Sequence, residues 1–298
     1  MSEEKKRIRY VSYSQYANFE SCPQKFKLQT LDKVGEYESN IHLVFGTAMH
    51  ETIQDFLEIY YGETKKMAMS IDLHENLLDN LKKNFLLEQK KMKGKLPCTQ
   101  LEMGEFYQDG CNILTTLKNK INKFYPKSGY ELIGNEIKLF TEVSPDVFFI
   151  GYADIVLYDQ ISGKFIIIDL KTSTKGWSKY QKMDKVKTSQ MLLYKKFYSE
   201  LFDVPFDKIT VEYHILKRKV GEYNGFPLPR ISKFVPANGK PSVNKSWTSF
   251  LNFVKHVYDE TGERRTDVRY DCKTSRLCDW CDYKTSGDCP EFKFNKKP

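Results

Sequence analysis

Two strand-like runs joined by a short turn constrain this chain more than any other feature. FFIGYADIVLYD (148–159) and KFIIIDLKTS (164–173) flank the turn-like Gln160-Ile161-Ser162-Gly163. Both runs are apolar on both faces, as expected of central strands covered on each side by helices. Each nevertheless carries an acid. Asp154 sits within Tyr152-Ala153-Asp154-Ile155-Val156, and Asp169 follows Phe165-Ile166-Ile167-Ile168. Buried charge is unfavourable unless it is paired or metal-bound. If Asp159 pairs with Lys164, the register puts Asp154 opposite Asp169, with Cβ atoms about 5 Å apart. Period-two alternation puts Lys171 on the same face. Two carboxylates that close resist joint ionisation unless a cation lies between them.

The register extends one strand further. Strands are expected at 131–143, 147–159 and 164–172, with a turn at Ser144-Pro145-Asp146. Pairing Val143 with Val147 makes Glu136 face Asp154, so three acids line up on neighbouring strands. A bulge in either strand would break that alignment. The bland alternative is that the acids are solvated strand ends or salt-bridge partners; the apolar context of both runs argues for a functional site instead. Hard oxygen ligands with open, hydrated positions suit Mg²⁺ or Mn²⁺. Such an ion polarises a phosphoryl oxygen and lowers the pKa of bound water. Lys171 would position that water or stabilise charge growing on the phosphorus oxygens.

Elsewhere the pattern is helical. SYSQYANFESCPQKFKL (12–28) reads as a short helical segment, and Met49, Ile53, Phe56, Leu57 and Tyr60 form the apolar stripe of a longer helix. Residues 71–126 read as wholly helical. A helix at about 180–202, a strand at about 209–219 and a helix at about 246–260 complete an α/β core. The expected fold class is therefore α/β, a mixed central sheet flanked by helices. A body at 1–266 with a helical insertion at about 65–128 would be followed by a cysteine-rich tail, 267–298. That tail is short on aliphatics and should need a metal or a dock to fold.

With 40% hydrophobic and 14% aromatic residues the chain is not disordered, and its net charge of +8 favours a polyanionic partner such as nucleic acid. The opening MSEEKKRIRY is charged and lacks the apolar core of a targeting segment. No stretch approaches the ~18 uninterrupted apolar residues of a membrane span. Seven cysteines, an odd number in a chain of this size, favour a reducing cytoplasm over a disulfide framework. There is no P-loop, which excludes an ATP-driven motor.

GYAD…IIDLKTS resembles the core of the PD-(D/E)XK nucleases, whose restriction-endonuclease-like fold it implies. Three further motifs resemble the family's RecB-like branch. Phe45-Gly46-Thr47-Ala48-Met49-His50 is similar to its G-x-x-x-H helix start, Gln190 and Tyr194 to its Q-x-x-x-Y, and SYSQYANFESCPQKF to its opening. For His50 alone a helix-surface histidine is the simpler reading, and for Gln190 and Tyr194 a plain amphipathic helix. The resemblance implies that His50, Asp154, Asp169 and the Leu170 backbone carbonyl bind the metal. Lys171 would be catalytic, supported by Glu136, Gln190 and Tyr194. An imidazole ligand biases the site toward Mn²⁺. The implied activity is that of a metal-dependent DNA exonuclease of prokaryotic or phage-infected cells, similar to CRISPR-associated and AddB-type domains. It would act in recombination, repair, or phage or CRISPR DNA processing, alone or beside a helicase. The rivals are an endonuclease using the same site, a catalytically silent DNA-binding or scaffold subunit, and a zinc-dependent interaction module.

Cys278-Asp-Trp-Cys281 with Cys289 forms C-x2-C-x7-C, and Cys272 stands six residues earlier. Such density in a polar tail points to metal ligation. Cys272, Cys278, Cys281 and Cys289 would make a tetrathiolate zinc site. The resemblance instead implies that Cys22 joins Cys278, Cys281 and Cys289 around a [4Fe–4S] cluster, a clip between distant chain segments. Cys98 and Cys111 read as ordinary buried thiols. For DNA contact, Lys175, Trp177, Lys179 and Tyr180 follow the Asp-x-Lys strand together with Lys182, Lys185 and Lys187. Lys217-Arg218-Lys219 offers a second track. The competing reading of these lysines is a solvated helix face.

Overall fold

A computed structural model describes residues 8–293; most of the charged opening segment and the last five residues of the cysteine-rich tail lie outside them. In chain order the elements are β1 (Arg9–Val11), α1 (Tyr13–Ser21), α2 (Pro23–Phe26), a π-helical turn (Lys27–Leu31), α3 (Ile41–Gly62), α4 (Lys65–Ser70), α5 (Leu73–Lys91), α6 (Gln100–Asn119) and α7 (Ile121–Phe124). Then come β2 (Tyr130–Ser144), β3 (Val147–Asp159), β4 (Lys164–Ser173), α8 (Lys179–Met183), α9 (Lys185–Leu201), β5 (Ile209–Lys217), β6 (Glu222–Tyr223), β7 (Phe226–Pro227), β8 (Ile231–Phe234), α10 (Lys240–Val257), α11 (Asp282–Ser286) and α12 (Pro290–Lys293).

A mixed sheet runs β2-β3-β4-β5-β8, with β1 parallel to the start of β3. The β3–β4 and β5–β8 pairs are antiparallel, whereas β4 and β5 run parallel because α8 and α9 carry the chain across. Helices cover both faces. Ile155, Leu157, Ile168, Leu170 and Leu216 pack under α3, α5 and α6. Val156, Ile167, Val211, Tyr213 and Ile215 pack under α9 and α10. Close approach of α6 to α3 and α5 depends on Gly110, where a Cβ would lie 2.5 Å from Leu77 Cδ2. No helix among the described residues is long and apolar enough to cross a membrane.

The 71–126 stretch is not one helix. Lys93 and Gly94 adopt positive φ (55° and 94°), and Pro97 follows. Glycine tolerates that geometry and proline cannot continue a helix, so α5 ends at Lys91. α6 restarts with a capping box in which Thr99 and Glu102 bond reciprocally. The expected 180–202 helix likewise divides at Asp184, whose side chain accepts from Val186 N and Lys187 N and so begins α9. The 209–219 strand ends at Lys217, and the 246–260 helix instead spans Lys240–Val257. The parallel strand β1 and the edge strand β8, at three and four residues, carry too little alternation to be read from sequence.

Candidate metal centre and active site

The β3–β4 ladder pairs Asp159 with Lys164 and continues to Ile155 and Ile168, in the expected register. It stops one step before Asp154 and Asp169. Beyond that point β4 leaves β3, and β1 takes the same edge only at Val147–Phe149. The freed Leu170 N–H is capped by Asp154 Oδ2 at 2.8 Å. Side-chain alternation along β3 also changes hand here: Phe149 and Ala153 point to the α9 side, Ile155 and Leu157 to the α3 side. The acids thus meet in a split between strands, not across a regular hairpin. Splitting exposes both faces at once, which lets a residue of α3 approach strand residues whose alternation faces α9.

That α3 residue is His50, whose Nδ1 lies 3.4 Å from Asp154 Oδ2. The Leu170 carbonyl faces the same ring. Glu136 joins them: His50, Glu136 and Asp154 each offer a ligand atom, all within 4.8 Å of one another. The turn into β3 is one residue tighter than expected, pairing Ser144 with Val147, but a shift between Glu142 and Ser144 restores the register. Asn135 then pairs with Ile155 and Ile137 with Ala153, bracketing Glu136 and Asp154. Asp169 is 1% exposed and Lys171 Nζ stands 2.9 Å from its Oδ2.

Burial dominates the electrostatics. It pushes the Asp154 carboxyl up to about 7 and that of Asp169 up to about 6, against the opposing pull of Lys171. Burial also lowers the His50 imidazole, favouring the neutral ligand form. Burial disfavours the Lys171 ammonium too, but Asp169 and Asp154 outweigh it and raise its pKa. Asp169 Oδ2 is buried and accepts no hydrogen bond of good geometry despite the nearby ammonium. A buried carboxylate served by one ammonium alone, next to a neutral imidazole and a backbone carbonyl, fits a divalent cation.

Gln190 and Tyr194 lie on α9 with Gln190 Nε2 3.3 Å from Tyr194 Oη, and both are buried. Tyr194 closes over Gly151, where a Cβ would meet its Cε1 at 3.1 Å and Phe149 Cε1 at 2.9 Å. That close approach gives a physical reason for the glycine of GYAD.

The five cysteines 22, 272, 278, 281 and 289 line one cavity between the α1–α2 segment and the tail. Cys272 Sγ lies 3.5 Å from Cys289 Sγ. Lys273 N donates to Cys22 Sγ at 3.4 Å and Ser275 N to Cys278 Sγ at 3.5 Å. Burial, then Cys289, pushes the Cys272 thiol up to about 12. The tail is also tied to the front of the chain by Tyr283 Oη on Val34 O at 3.1 Å and Gln24 N on Asp271 O at 3.2 Å. Cys98 and Cys111 are buried in the helical layer.

The lysine tracks are only partly free. Lys175, Lys179 and Tyr180 are exposed, Tyr180 at 86%. Trp177 is half-buried and packed on Tyr213, with ring centroids 4.8 Å apart. Lys217 lies half-buried along Gly176. Arg218 is withdrawn altogether: it is 8% exposed, 3.1 Å from Asp109 Oδ2 and 3.5 Å above the Phe106 ring. A tertiary ion pair with an acid more than a hundred residues away carries no local sequence signal. Gln54 is not among the expected site residues, although it lies one helical turn after His50 and that spacing marks a shared face.

The sequence matches the family described as the PD-(D/E)XK nuclease superfamily over residues 10–286. The chain belongs to that superfamily. No curated protein matches it. A crystal structure from Eubacterium rectale, described as a "Putative exonuclease", is 15% identical with a TM-score of 0.46, over 95% of this chain and 98% of that one. Membership in this nuclease superfamily implies a hydrolase, and the His50–Glu136–Asp154 group is a potential metal site in the split sheet.

Proposed function

We propose that this superfamily member is a divalent-metal-dependent deoxyribonuclease of the RecB-like branch that degrades DNA from its ends. One observation carries the metal dependence: His50, Glu136 and Asp154 offer ligand atoms within 4.8 Å of one another, and Asp169 lies buried beside a single ammonium. Without a cation that arrangement opposes its own ionisation.

His50, Asp154, Asp169 and the Leu170 carbonyl would hold Mg²⁺ or Mn²⁺, with Glu136 beside them. The ion, when bound, supplies a nucleophilic water at neutral pH and neutralises phosphoryl charge. Lys171 stays charged beside Asp169, placed to orient the attacking water or stabilise the oxygens that gain charge. Gln190 and Tyr194 brace the strand that carries Asp154. The exposed Lys175, Lys179 and Tyr180 supply backbone and stacking contacts to DNA. The five-thiol cavity fits a structural metal group. Cys22, Cys278, Cys281 and Cys289 are assigned to a [4Fe–4S] cluster, with zinc bound by thiolates including Cys272 as the alternative. The motif order supports an intracellular role in recombination, repair or phage or CRISPR DNA processing, beside a helicase or alone.

Anaerobically purified protein, Mn²⁺ and end-labelled linear DNA test this. Wild type should shorten the linear strand and spare a covalently closed single-stranded circle, while Asp169→Ala and Lys171→Ala leave both substrates intact. Cutting of the circle would establish endonuclease action. Equal degradation by wild type and both variants would remove the enzymatic assignment.

A further inference from the structure

Gln54 is 6% exposed on α3, a buried polar side chain among the apolar residues of that helix. Both of its amide hydrogens are used. Gln54 Nε2 donates to Glu136 Oε1 at 2.8 Å and to the Asp154 backbone carbonyl at 2.9 Å. In return, Asn135 Nδ2 donates to the Gln54 backbone carbonyl at 3.1 Å. The helix bearing His50 is therefore laced to β2 and β3 at the level of Glu136 and Asp154.

The lacing coincides with a backbone irregularity. Glu136 lies inside β2 with φ at +48°, a left-handed conformation that L-residues rarely adopt in a strand. The strand pairs on either side of it keep the same register. A strained non-glycine residue inside a strand persists only when its surroundings hold it. Here they hold a carboxylate whose residue is exposed to solvent and would otherwise be free to swing into it. Held as it is, Glu136 stays within 4.8 Å of the His50 and Asp154 ligand atoms.

We infer that Gln54 is a positioning residue of the metal site, its amide fixing the Glu136 carboxylate against His50 and Asp154. This rests on the metal-site reading above and adds a residue that none of the sequence motifs contains. Side-chain chemistry restricts the position. Asparagine is one methylene too short to span both acceptors, glutamate would repel Glu136, and an aliphatic side chain would leave the carboxylate untethered. Groups that orient a ligand from behind typically change metal affinity 10- to 100-fold when removed.

Mn²⁺ titration of the full chain by calorimetry, with free Mn²⁺ followed by electron paramagnetic resonance, reads that effect directly. Gln54→Met and Gln54→Leu keep the volume and remove the donors. Whichever melts within a few degrees of wild type in EDTA should bind Mn²⁺ about 10- to 100-fold more weakly. In a Glu136→Gln background the same change should weaken binding no further, because residues acting as one unit are non-additive. Wild-type affinity in the folded Gln54 variant would overturn the inference. So would an undiminished loss in the Glu136→Gln background, which would mean that Gln54 acts through the scaffold. If wild type and Asp154→Asn take up Mn²⁺ equally, the metal site itself is wrong and the role of Gln54 falls with it.

Discussion

Replacing Asp154 with asparagine should stabilise the metal-free protein, and the size of the gain follows from burial. The carboxyl is 8% exposed and moves from an ordinary value of 3.8 up to about 7. Each pH unit of such a displacement corresponds to about 1.4 kcal/mol, which sets a ceiling of about 4 kcal/mol. The amide oxygen of the variant can take the place of Oδ2, which accepts from Leu170 N–H and lies 3.4 Å from His50 Nδ1, so little else is lost. Because the folded-state carboxyl titrates above the unfolded one, its protonated form supports the fold at low pH. That support is lost as pH rises from about 4 through about 7. The advantage of Asp154→Asn should therefore be near zero at about pH 4, open across that window, and hold constant above it. Thermal melts in EDTA at about pH 4 and about pH 8.5 read this directly. A gain of 2–4 kcal/mol corresponds to roughly 4–8 °C in a chain of this size. Mn²⁺ at 100 times its Kd should then raise wild type by about 2.7 kcal/mol and the variant far less. A variant less stable than wild type at high pH, or equally stabilised at both pH values, would refute the claim that Asp154 is an uncompensated buried acid.

Arg218→Ala should cost about 3 kcal/mol in denaturant unfolding, the low end for a broken buried pair because Lys219 also reaches Asp109 at 3.2 Å; a loss under ~0.5 kcal/mol would return Arg218 to the surface. Lys175→Ala combined with Lys179→Ala should flatten the log–log salt dependence of single-stranded DNA binding by about 1.4, while Arg218→Ala leaves it unchanged. A salt response that is flat in wild type would remove the phosphate track. Cys281→Ala should lower the melting temperature and strip the bound iron or zinc, with visible absorbance separating the two metals. Unchanged melting and metal content would cancel the clip.

How much of the fold and site is legible in the sequence depends on the range of each interaction. Strand identity, the Asp159–Lys164 turn and the helix carrying His50 follow from alternation and helical spacing, because each is decided within about a dozen residues. The Lys93-Gly94 break is equally local, but the apolar stripe continues on either side of it and masks the interruption.

Order along the chain and side-chain chemistry alone pointed to Asp154, Asp169 and Lys171 as one constellation, since acids in apolar strands need a partner, and the family resemblance added His50. Folding in three dimensions decided how they meet. The strands diverge just before the acids, α3 enters the split, and Glu136, at a backbone kink, is tied to the helix by Gln54. Folding likewise withdrew Arg218 from solvent and brought Cys272 against Cys289. These outcomes depend on partners far apart in the chain, and no periodicity encodes them. Only closure of the whole sheet between its two helical layers brings those partners into reach.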